Sequence, residues 1–147
     1  MNRTRVLGPA VGAALSALSA AAERGLGDPA LAELVMIRSS QINHCAFCLD
    51  MPLGAARRGG ESEDRIQLLN AWEEAEDRFG ERERAALALT EAVTVLTEGF
   101  VPDVVYERAA KHFDEAELAH LIALITAINS WNRVMVSRRV PPGGYQP

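Results

Sequence analysis

Residues 33–51 read ELVMIRSSQINHCAFCLDM, and the next residue is Pro52. The stretch opens inside a helical segment, PALAELVMIRSSQI (29–42), for which Asp28 supplies an N-cap and Pro29 the first helical position. It closes on the only two cysteines of the chain, Cys45 and Cys48, spaced C-x-x-C. At the start of a helix this spacing puts both sulfur atoms on one face, near enough to close a disulfide. Backbone N–H groups without intrahelical partners favour a thiolate there.

On either side the chain divides into helices with short connections, since apolar and polar alternation never persists between turn signals. The expected fold class is all-α, a helical bundle in one domain spanning 1–147. A first helix is expected from about Arg5 to Arg24, stopping at Gly25-Leu26-Gly27. Its apolar stripe is Val6, Leu7, Ala10, Val11, Ala14, Leu15, Leu18, Ala21 and Ala22, with Gly12, Ser16 and Ser19 opposite. Arg3 and Arg5 ahead of VLGPAVGAALSALSAAA also imitate a secretory signal, but a signal does not require helical spacing, so a retained amphipathic helix is the expectation.

Downstream, Gly59-Gly60 ends the cysteine helix and Ser62 caps a helix through EDRIQLLNAWEEAEDRF (63–79). Gly80 and Glu83 open ERERAALALTEAVTVLTE (81–98), whose stripe is Ala85, Leu89, Ala92, Val93 and Leu96. A shorter helix begins near Pro102. Asp114 and Glu117 form a capping-box pattern for the last helix, which turns Leu118, Leu121, Ile122, Ile125, Ile128 and Met135 toward the core. VPPGGYQP (140–147) is a tail that cannot continue it.

Composition narrows the function. With 147 residues the chain can bury a core without disulfides, and 48% hydrophobic but only 5% aromatic residues leave Ala, Leu, Val and Ile to pack it. A net charge of −5 argues against a phosphate-backbone binder, so no nucleic-acid partner is expected. Arg57-Arg58 and Arg138-Arg139 read as solvated helix ends. No apolar run after the first helix is long enough to span a bilayer, and a cytoplasmic protein without a membrane partner is expected.

The cysteine pair admits three functional readings. A structural zinc needs four ligands, and the remaining candidates are His44, His112 and His120, the last two eight apart rather than at zinc-finger spacing, so no metal is expected. Covalent haem attachment wants histidine where Leu49 stands. A redox dithiol remains, set against two small buried apolar side chains. Glu33, twelve residues before Cys45 and beside Leu34 and Ile37, is the associated carboxylate; its alternative is a half-exposed first-turn acid complementing the helix dipole.

Together with ERERAALALTEAVT, VPDVVYE and AINSWNR, the opening stretch closely resembles the alkylhydroperoxidase D-like branch of the carboxymuconolactone decarboxylase superfamily. The resemblance implies an all-helical bundle assembled as a homotrimer or homohexamer. It implies reduction of peroxides through the C-x-x-C helix, or electron transfer to a peroxiredoxin from a lipoyl-type dithiol, with no bound cofactor. Cys48 would attack the peroxide and become a sulfenic acid, Cys45 would supply a proton and resolve it, and Glu33 would be the relay glutamate. The decarboxylase branch lacks the cysteine pair.

The family pattern places a histidine four residues after the second cysteine, where this chain has Pro52. Proline relays no proton and leaves the Cys48 carbonyl without a donor, so a bend, or a fresh start with Asp50 or Met51 as N-cap, is expected. His44, four positions before Cys48, would restore a base if the helix extended back to it; otherwise it is an exposed loop residue. Asn129, Trp131, Asn132, Arg133 and Trp72 are expected to fix packing or a subunit contact, and His112 and His120 to be surface or packing residues. The function expected is a thiol oxidoreductase. Set against it are a non-enzymatic redox-responsive scaffold and an acid–base enzyme using Glu33 and a histidine, which should survive removal of the cysteines.

Overall fold

A computed structural model describes residues 3–4 and 7–143. The fold is all-α. Seven α-helices follow one another among these residues: α1 (Pro9–Leu26), α2 (Pro29–Ile42), α3 (Ala46–Arg58), α4 (Glu63–Leu68), α5 (Glu81–Thr94), α6 (Asp103–Ala110) and α7 (Glu115–Arg138). None of these helices is long and apolar enough to cross a membrane.

Helix α2 is the axis of the molecule. Leu31 and Val35 pack with Leu89, Leu121 and Ile125 of α5 and α7. On its other side Leu34 and Ile37 pack with Ile66, Leu69, Trp72, Phe79 and Leu87. A helix apolar on both sides must be enclosed by its neighbours. The Asp28 carboxylate caps it by accepting from the Leu31 N–H at 3.2 Å, as the sequence indicates. The reciprocal cap of α7 also forms, Glu117 N–H to Asp114 Oδ1 at 2.8 Å and Asp114 N–H to Glu117 Oε2 at 3.0 Å.

Several expectations are corrected, among them the helix 81–98, which ends at Thr94 and leaves Leu96 exposed. Helix α1 starts at Pro9 rather than Arg5, and Arg5 and Val6 lie outside the described residues, as do residues 144–147 of the tail. Its packed face is also not the expected stripe, since Gly12 is buried and Ser19 half-buried while Val11 is 52% exposed. The small residues face α7 because they let the two helix axes approach closely; a Cβ added at Gly25 would lie 1.9 Å from the His120 ring.

The predicted helix 63–79 is regular only as far as Leu68. The chain continues as two 3₁₀ turns, Leu69–Glu74 and Glu76–Arg78, broken at Ala71 (φ −126°, ψ 32°). The Arg84 guanidinium takes the carbonyls of Trp72, Glu73 and Glu76 at 3.0–3.2 Å, a tertiary alternative to helical hydrogen bonds.

Finally, α3 runs unbroken from Ala46 through Pro52 to Arg58, and neither Asp50 nor Met51 caps a new helix. Proline at this position withholds one N–H from the Cys48 carbonyl. The helix persists because Leu49, Leu53 and Ala56 are held against the Ile66, Leu69 and Trp72 cluster on both sides of the defect.

Candidate redox site

The end of α2 delivers the cysteines. His44 adopts a left-handed conformation (φ 52°) directly after Asn43. The Cys45 N–H then donates to the Ser40 carbonyl at 3.0 Å and the His44 N–H to the Gln41 carbonyl at 3.2 Å. These two bonds make a Schellman termination, in which the left-handed residue reverses the chain. One residue later the chain is already in α3, with Cys45 as its N-cap.

The Cys45 Sγ accepts from the Cys48 N–H at 3.3 Å, placing Cys48 in the first turn. The two residues are joined as a disulfide with Cα atoms 5.2 Å apart. Cys45 is 1% exposed and Cys48 6%, so both residues are buried. Around them lie Ile128 and Met135 of α7, with Met36, Phe47 and Trp131 partly buried against the group.

Behind the cysteine turn is a buried polar network that sequence reasoning missed in part. The Asn43 Nδ2 donates to Asn129 Oδ1 at 2.9 Å and to Asn132 Oδ1 at 2.8 Å. Asn132 Nδ2 donates to Ser40 Oγ at 3.0 Å, and its Oδ1 also accepts from Ser39 Oγ at 3.2 Å. Asn129 Nδ2 donates to Thr94 Oγ1 at 3.0 Å, and the Thr94 hydroxyl to Ser39 Oγ at 3.3 Å. Asn129 and Asn132 read from sequence as packing residues. Asn43, Ser39, Ser40 and Thr94 were not singled out, although two amides three apart in an apolar helix signal that buried partners must exist.

Glu33 stands elsewhere. It lines a cleft of about 510 Å³ with Asp28, Pro29, Ala55, Ala56, Gly59 and Gly60, toward the far end of α3 from the cysteines. Positions 48 and 56 are separated by about 12 Å of helical rise, with Pro52 midway. Glu33 is not a first-turn acid of α2. Its Oε2 is buried without a hydrogen-bond partner. Burial, then the nearby Glu23 carboxylate, push its pKa up to about 7, while Arg58 pulls the other way. Glu23 is itself raised by burial.

His44 is exposed and outside both helices, so α3 does not extend back to it and the geometric condition for its standing beside Cys48 on one helical face is not met. Of the expected site residues the structure joins Cys45 and Cys48, sets Glu33 in the cleft toward the far end of α3, and leaves His44 on the turn between α2 and α3. Trp72 is a packing residue, its indole N–H donating to Glu91 Oε1 at 2.8 Å. Among the described residues no group of three or more His, Cys, Asp and Glu side chains could hold a metal ion.

The family model described as carboxymuconolactone decarboxylase matches residues 9–92, more than half of the chain. The chain belongs to the carboxymuconolactone decarboxylase family. Within known proteins it is 46% identical over 105 residues to the uncharacterised protein YdfG of Bacillus subtilis (strain 168), covering 71% of each chain. It is 35% identical over 118 residues to the uncharacterised protein YnjA of Escherichia coli (strain K12), covering 80% of this chain and 63% of YnjA. A crystal structure of an Agrobacterium tumefaciens protein of unknown function, described as a candidate antioxidant defence protein AhpD, superposes with a TM-score of 0.89 at 34% identity, covering 95% of this chain and 98% of that one. The carboxymuconolactone decarboxylase family member described here thus carries the AhpD-like fold.

Proposed function

We propose that this protein is a thiol-dependent peroxidase or thiol–disulfide oxidoreductase that works through Cys45 and Cys48. The observation that carries the reading is the placement of the chain's two cysteines at the N-cap and first turn of α3, bonded to one another. In the reduced enzyme the Cys48 thiolate attacks one peroxide oxygen, the O–O bond breaks, the alcohol or water leaves, and Cys48 becomes a sulfenic acid. The Cys45 thiol then attacks the Cys48 sulfur, water leaves and the disulfide forms. A lipoyl-type dithiol returns two electrons and two protons, directly or as part of a chain that serves a peroxiredoxin.

The seat of the family's relay histidine is Pro52, and Glu33 lies a further turn away. Glu33 can hold a proton near neutral pH and lines the cleft toward the far end of α3, and His44 stands on the turn outside both helices, so neither occupies the seat of the missing histidine. Turnover is therefore expected to be slow, because a positioned acid or base is typically worth ~10²- to 10⁴-fold in rate. We further propose one domain working in the cytoplasm as a homotrimer or homohexamer; the exposed Val11, Leu18, Phe100 and Val104 supply apolar surface for such contacts.

A second reading, a redox-responsive scaffold without efficient turnover, is favoured by Pro52. Peroxide consumption with reduced lipoamide decides between them. The peroxidase reading expects measurable turnover by the natural chain, none by Cys48→Ser, and a gain in Pro52→His. Turnover by Pro52→His alone would establish the scaffold reading, and turnover that survives Cys48→Ser would sink both.

A further inference from the structure

We propose that Asn43 is a positioning residue for the dithiol: clamped by Asn129 and Asn132 of α7, it holds the Cys45 turn in the disulfide-competent geometry when the sulfurs are reduced. The inference rests on the redox reading above and adds what tunes that site.

Three links connect the amides to the sulfur. Asn43 is the last residue before the left-handed His44, and both hydrogens of its Nδ2 are accounted for by the two α7 carbonyl oxygens at 2.9 and 2.8 Å. The Cys45 N–H is fixed to the Ser40 carbonyl at 3.0 Å, and the Ser40 hydroxyl is itself fixed by Asn132 Nδ2 at 3.0 Å. Cys48 is carried by α3, whose first turn is registered on Cys45 through the Cys48 N–H. Both cysteines are thus referred to the α2–α7 interface, so reduction leaves their backbone where it was.

The chemistry follows from proximity. The exchange is Cys45–Cys48 disulfide plus a dithiol giving two protein thiols plus the oxidised reagent; two electrons and two protons pass to the protein. The closer the reduced sulfurs are held, the higher their effective concentration and the more the equilibrium favours the disulfide. Loosening residues 43–45 lowers that concentration and favours the dithiol.

Asn43 can be removed with little collateral damage. Asn129 Oδ1 retains Arg133 Nη1 at 2.9 Å, and Asn132 Oδ1 retains Ser39 Oγ at 3.2 Å. In Asn43→Ala neither buried acceptor is left without a donor. Asn43→Asp is nearly the same shape but replaces the donor by an acceptor facing two carbonyl oxygens.

The experiment equilibrates the full-length protein against graded ratios of reduced to oxidised dithiothreitol and reads the thiol fraction by alkylation. Asn43→Ala and Asn43→Asp are each expected to shift the equilibrium toward the dithiol by threefold or more; a tenfold shift corresponds to about 30 mV. A loss of stability common to both redox states leaves this equilibrium unchanged. Phe79→Leu, in a core cluster without the cysteines, is the control for that and should match the natural chain. A smaller or opposite shift in a folded Asn43 variant, while the natural chain exchanges normally, overturns the positioning role alone. A natural chain that does not exchange with the reagent overturns the redox reading and this inference with it.

Discussion

Glu33 is a side chain whose ionisation works against the fold. Its carboxyl is raised from 4.5 to about 7 chiefly by burial, helped by Glu23 and opposed by Arg58, and Asp28 and Glu61 line the same cleft. Below about pH 4.5 the folded and unfolded chains both hold the proton. Between about 4.5 and 7 the folded chain holds it and the unfolded chain does not, so stability falls as pH rises through that window and the loss is complete above it. Solvent still screens the partly buried group, which limits the effect to on the order of 1 kcal/mol. Urea unfolding of the natural chain and Glu33→Gln at about pH 4.5 and 8 checks this: the variant is expected to lose less stability across the interval, and parallel pH dependences would refute it. Sequence singled out Glu33 as a carboxylate beside apolar neighbours, but its 12-residue spacing from Cys45 could not reveal which end of α3 it faces. That depends on the antiparallel packing of α2 on α3.

Among the elements, α1 packs against α7, and Gly25 stands directly against the His120 ring. Replacing glycine by alanine inside a helix ordinarily stabilises it by ~0.5–1 kcal/mol. Here the new Cβ would fall 1.9 Å from His120 Cδ2, and the ring cannot swing aside without breaking the 2.7 Å contact of its Nδ1 with the Ala116 carbonyl. Gly25→Ala is therefore expected to destabilise by about 1–3 kcal/mol. Made in a His120→Ala background, the same change should stabilise. Thermal unfolding of the four chains of this cycle supplies the test, and a stabilising Gly25→Ala single variant would contradict the packing described. Helix existence was legible throughout, and the bounds of α2 were read without error because an Asp-Pro start is a strong local signal. Pro52 misled because a local rule, that proline interrupts a helix, yields when apolar neighbours on both sides of it are buried.

At the scale of the molecule, two apolar clusters hold the bundle, and the disulfide closes a short loop within a third. Chain-entropy arguments give so short a closure only about 2 kcal/mol of stabilisation. The reduced protein is expected to stay folded, with urea-unfolding free energy lower by about that amount and the helical circular-dichroism signal kept. Unfolding upon reduction would mean that the bond is structural, and a redox cycle could not run on it without dismantling the fold.

The amino-acid order alone determined the all-α class, most helix starts and the pairing of two sulfurs on one turn, because capping, apolar period and three-residue spacing are local quantities. The packed face of α1, the passage of α3 through Pro52, the isolation of Glu33 and the amide clamp behind Cys45 were decided by tertiary structure. Each depends on which distant side chain arrives opposite, Asn132 against Asn43 or His120 against Gly25, and such meetings have no period along the chain.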